Sequence, residues 1–145
     1  MPIDISIHPV RELAYCRVAG GIDAQECIDS LAAYVAHPQF DPRFNFLTVT
    51  KGVQHVDGTF RSIVMAVQRS MPLIRHFTQD SLWVIHAPND VTFGMARIVQ
   101  QVVEPFSRAQ LEVLRDPSEA LSCAGQPETR FCQIETALGL HPETD

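Results

Sequence analysis

No apolar run in this 145-residue chain approaches the roughly 20 residues that span a bilayer. The first ten residues, MPIDISIHPV, contain neither the basic start nor the apolar stretch of a secretory signal. The expectation is therefore a cytoplasmic protein with no membrane-spanning helix. Positive charge is scarce as well: 11 Lys and Arg stand against 17 Asp and Glu, for a formal net charge of −6. That is the wrong sign for a face that neutralises nucleic-acid phosphates, so no nucleic-acid partner is expected. The cysteines Cys16, Cys27, Cys123 and Cys132 form no CxxC pair and no zinc-finger spacing with histidine. A phosphate loop and the dinucleotide fingerprint GxGxxG are both missing, as are internal repeats. With no catalytic signature in view, the expectation is a non-enzymatic protein with no cofactor and no metal.

What is present is the material for one packed domain, 46% hydrophobic and 19% charged. A chain of this length buries roughly 68–70% of its unfolded surface, enough to fold without disulfides. The four cysteines are expected to be buried or half-buried thiols.

Ile3, Ile5 and Ile7 alternate with polar residues, and Leu13–Val18 follows after a Pro-containing turn, the pattern of an antiparallel hairpin. Gly20-Gly21 breaks that strand. Asp23 with Glu26 forms a capping-box variant ahead of an apolar stripe from Cys27 to Val35, which predicts a helix over 23–36. Two prolines close that segment. Phe46–Thr50 is a short β-rich run, followed by a polar stretch to Asp57. Helical spacing resumes at Phe60, with Pro72 near the end of that helix. Leu82–Ala87 is a continuous apolar strand, as expected where both sheet faces are covered. Val91 to Val103 is a long amphipathic helix stopped by Pro105, and Leu111–Leu114 is a further strand. Asp116-Pro117-Ser118-Glu119 opens another helix, with Asp as cap and Pro at its first position.

The fold class is thus α/β: a mixed, mostly parallel sheet of about five strands with an N-terminal antiparallel hairpin. Residues 1–124 form the α/β domain, and 125–145 form an appended helix and a tail with an acidic end.

In such sheets ligands bind beyond the carboxyl ends of the strands, where helix N-termini favour anions. The candidate binding rim is Lys51, His55, Asp57, Thr59, His86, Asn89, Asp90 and Thr92. His55, Asp57 and His86 are acceptable metal-ligand types, but their spacing matches no metal motif. His55 and Asp57 could pair for acid/base work, with no nucleophile nearby in sequence. Thr59, at a helix start, is a capping hydroxyl and a candidate phosphorylation site. Gly94 sits inside a helix at a cost of about 1 kcal/mol, which points to a close helix contact within the domain or across a dimer.

The strings GGIDAQE, AHPQFDPRFNFLTV, VDGTF, APNDVTFGMARIVQQ and VLRDPSEAL, in that order, resemble the STAS-like group. That group has the fold of anti-sigma-factor antagonists and of the cytoplasmic domains of sulphate transporters. The similarity is greatest to its single-domain bacterial branch of uncharacterised function. The resemblance covers most of residues 1–124 and implies a βα superhelix that acts by binding. In the antagonists a partner kinase phosphorylates a Ser two residues after an Asp at a strand-to-helix junction. Thr59, after Asp57, stands at that position, with Gly58 where Ser is usual and Phe60 where Gly is usual.

The expected function is a regulatory or protein-interaction domain, a homodimer through a helix face, centred on Asp57, Thr59 and Asp90. The alternative is a carrier or sensor of a small apolar or anionic molecule held between sheet and helices. Trp83, Phe60 and Phe93 would then line a pocket of roughly 300–1,000 Å³. The alternative draws on the similarity of the fold to lipid-carrier domains.

Overall fold

Residues 3–142 are described by a computed structural model. Strands β1 (Ile3–His8), β2 (Leu13–Ile22), β3 (Asn45–Val56), β4 (Leu82–His86) and β5 (Gln110–Leu114) form one sheet in the order β1-β2-β3-β4-β5. β1 and β2 are antiparallel, with Ile3 opposite Val18 and His8 opposite Leu13. The other neighbours are parallel. This is the mixed α/β sheet with an N-terminal hairpin that the sequence predicts. The hairpin turn is a single 3-10 turn at Pro9–Arg11, closed by Glu12 at φ 52°.

Helices α1 (Ala24–Val35), α2 (Phe60–Ile74) and α3 (Asp90–Val103) connect successive parallel strands. Sequential strand order with crossovers of one hand places all three on one face. There α1 packs on α2 and α2 on α3. Their N-caps follow from sequence: Asp23 accepts from the Glu26 N–H, Thr59 from Ser62, and Asn89 from Thr92. The short helices α4 (Pro117–Cys123) and α5 (Phe131–Ala137) complete the described chain, and Asp116 caps α4 by accepting from the Glu119 N–H.

Because strand side chains alternate between faces, the sheet divides the apolar residues into two layers. Ala14, Cys16, Phe46 and Ile85 point to α1–α3, whereas Leu13, Tyr15, Leu47, Val49 and Val84 meet Leu121, Phe131 and Ile134 of α4 and α5. The acidic end expected at 143–145 lies outside the described residues.

Two elements differ from expectation. β2 runs through Gly20-Gly21 to Ile22, with register shifts between Arg17 and Ala19 and between Gly20 and Gly21. β3 continues through the polar stretch to Val56, because Gly52, Val53, His55 and Val56 pair with the extended end of β2. Tertiary pairing here overrides local composition. Gly94 is exposed on α3, and a Cβ there would meet nothing within 4 Å, so no close contact within the domain explains it.

Candidate functional site

The inner faces of α1, α2 and α3 do not close fully onto the sheet. Their sheet-facing stripes carry small residues, including Ala24, Ser30, Ala66, Ser70 and Ala96. The space this leaves is a cavity of about 210 Å³ between the three helices and β1–β4. Its strand side is built by alternate residues: Ile3 and Ile5, Cys16 and Val18, Phe46 and Thr48, Trp83 and Ile85. β5 contributes nothing to it.

The lining is overwhelmingly apolar, and most of its hydroxyls are already engaged. Thr48 Oγ1 accepts from Trp83 Nε1 at 3.1 Å, and Thr50 Oγ1 donates to the His86 carbonyl at 2.7 Å. Ser70 donates to the Ala66 carbonyl at 2.9 Å, and Thr92 Oγ1 bonds Asn89. Ser62 accepts from the Thr59 N–H at 2.7 Å, closing a capping box. Cys16 and Cys27 also line the space; burial pushes the Cys16 thiol up to about 12 and the Cys27 thiol up to about 11. Both are therefore protonated, weakly polar walls at neutral pH.

Where β2 and β3 leave the sheet, the Asp57 N–H donates to the Ile22 carbonyl at 3.0 Å, tying the two strand ends together. Asp23 and Asp57, both exposed, stand there at the cavity's polar end.

The eight rim residues are not gathered into one ring. Asp57 and Thr92 line the cavity. His55 Nε2 lies 3.9 Å from Asp57 Oδ1, both side chains largely exposed. Thr59 and Asn89 cap α2 and α3, and Asp90 pairs with Arg115 at 2.9 Å on the surface. Lys51 and His86 belong to the opposite layer. Lys51 Nζ sits 5.5 Å from the centroid of the Phe131 ring, and that ring meets His86 edge-on at 4.7 Å. His86 is 2% exposed, with Nε2 3.0 Å from the Arg115 carbonyl oxygen. Burial holds its imidazole below the usual range, so it is neutral at pH 7. Among the described residues no three His, Cys, Asp or Glu side chains converge on a possible metal position.

Of the three aromatic residues expected to line a pocket, only Trp83 does. Phe60 is 67% exposed at the start of α2, and Phe93 lies under the Arg115 guanidinium, 4.3 Å from its ring centroid. The residues that sequence reasoning missed are the small ones on the helix stripes. Ser62, Ala66 and Ser70 recur every four residues on the same face as Ile63 and Val67, a legible sign of a thinly filled helix–sheet interface.

The site therefore defines an α/β protein with an apolar chamber on one side of a mixed sheet. No protein-family model matches the chain, and no curated protein matches it significantly. Among the described residues no helix is long and apolar enough to cross a membrane.

Proposed function

We propose that this chain is a non-enzymatic binding protein that holds a small, largely apolar molecule between its sheet and α1–α3. The observation that supports this is the cavity of about 210 Å³, apolar in its walls and with the hydroxyls of Thr48, Thr50 and Ser70 engaged by the protein. Atoms lining such a space forgo the dispersion contacts that a filled interface would give them. An occupant restores part of those contacts. The volume is below the range expected of a general carrier and suits a smaller guest. An apolar cavity of about 150 Å³ accepts benzene, so this one matches about eight or nine non-hydrogen atoms.

Trp83, the single tryptophan, lines the cavity and serves as the reporter. Titration with toluene is expected to change its emission saturably in the wild type and not in Ala66→Leu, where the new side chain occupies the space. Unsaturable behaviour, or the same response in both proteins, overturns the reading. A second reading, a regulatory protein-interaction surface on a STAS-like fold, draws support from Thr59, whose hydroxyl is exposed beside the exposed Phe60. It predicts that Thr59→Glu weakens binding to a protein partner while toluene binding is unchanged.

A further inference from the structure

The hydroxyls of Thr48, Thr50, Ser70 and Thr92 along the cavity's walls each already make a bond within the protein. The carboxyl groups that border the space lie at the end where β2 and β3 leave the sheet. That end carries charge of one sign. Among the described residues Asp23 and Asp57 are the carboxyl groups that line the space, and no Lys, Arg or His lines it. Their backbones are held side by side by the bond from the Asp57 N–H to the Ile22 carbonyl.

The N-termini of α1 and α2 open at the same end, and each contributes about half a positive charge. At each, one first-turn N–H is already met by the cap, Glu26 by Asp23 and Ser62 by Thr59. The carboxylates of Asp23 and Asp57, with His55 Nε2 3.9 Å from Asp57 as the neighbouring titratable base, make this end a better place for a cation than for a carboxylate.

We infer that the guest is a small apolar amine, its hydrocarbon part in the cavity and its ammonium group at the Asp23 and Asp57 carboxylates. This rests on the binding function proposed above. One oxygen of Asp23 also caps α1, and one oxygen of Asp57 lies 3.9 Å from His55 Nε2. Both carboxylates are exposed, so the selectivity is of the size of one or two surface ion pairs, about fivefold, and salt weakens it.

The test compares three probes of one size: benzylamine, benzyl alcohol and benzoate, titrated at neutral pH and low salt against Trp83 emission, with toluene as the uncharged reference. The expected order is benzylamine about fivefold tighter than benzyl alcohol, and benzoate weaker than either. In Asp57→Asn, and in Asp57→Asn combined with Asp23→Ser, the preference for benzylamine should collapse while toluene binds as before. Serine keeps the α1 cap without the charge. Equal binding of the three probes, tighter binding of benzoate, or a benzylamine preference that survives in the double variant overturns the amine inference and leaves the cavity's binding role standing. If toluene also fails to bind, both readings fall together.

Discussion

Ala66 lies on the stripe of α2 that faces the sheet and borders the cavity, between Ser62 and Ser70 one helical turn away on either side. Ala66→Leu adds three carbons where the wild type has space. At about 0.8 kcal/mol per buried CH₂ the gain is about 2.4 kcal/mol. Fixing the leucine rotamer costs about 0.5–1 kcal/mol, and helix propensity hardly changes. The net expectation is a stabilisation of about 1.5 kcal/mol, a rise in Tm of about 3–6 °C for a domain of this size. Thermal and urea unfolding followed by circular dichroism give both numbers, and an unchanged m-value ties the shift to native-state packing. The same substitution should abolish the toluene response of Trp83, because guest and side chain compete for one volume. A loss of about 1–3 kcal/mol, the signature of overpacking, would refute the reasoning by showing that the space does not accept a side chain.

Two glycine substitutions should act with opposite sign. Gly58 adopts φ 132°, and a Cβ there collides with Ser62 Oγ, the hydroxyl that closes the α2 cap, so Gly58→Ala should cost about 1–3 kcal/mol by urea unfolding. Gly94→Ala, exposed in mid-helix with open space around it, should stabilise by about 0.5–1 kcal/mol. Tyr15→Phe removes the donor that reaches the fully buried Glu135 carboxylate at 2.8 Å, and should cost about 1.5–3 kcal/mol in the same assay. Burial raises the Cys16 thiol from 9.0 to about 12. The folded state then keeps a proton that the unfolded chain loses, so stability is intact below pH 9 and falls as pH rises toward 12. Between pH 8 and 10 this thiol accounts for a loss of about 1.4 kcal/mol, which Cys16→Ala should remove from the pH dependence of urea unfolding.

Much of the architecture follows from local rules. Alternation in Ile3, Ile5 and Ile7 marks the hairpin, and Asp23, Thr59 and Asp116 mark helix starts because each side chain meets the third following N–H. The extension of β3 does not follow from local rules: Gly52 is a poor strand former, and its pairing with Ala19 on the partner strand holds it extended. The dispersal of the rim was legible in principle. Lys51 and His86 have the parity of Val49 and Val84, which places them under α5 and not above the cavity. The cavity itself is a matter of volumes. Small residues on three separate helices leave it only once those helices are set side by side, and no single window of sequence contains that information.

The two layers are built unequally. One side of the sheet is filled by Phe131, Ile134, Leu121 and a hydrogen-bonded Tyr15–Glu135 pair, while the other leaves a space of about 210 Å³ between helices and sheet. Hydrostatic pressure acts on that difference, since compression favours the state with the less loosely packed interior. Compressed, the molecule should yield first along α1, α2 and α3, with the α4–α5 side retaining its order. A guest that fills the chamber thus makes the protein stiffer as well as more stable.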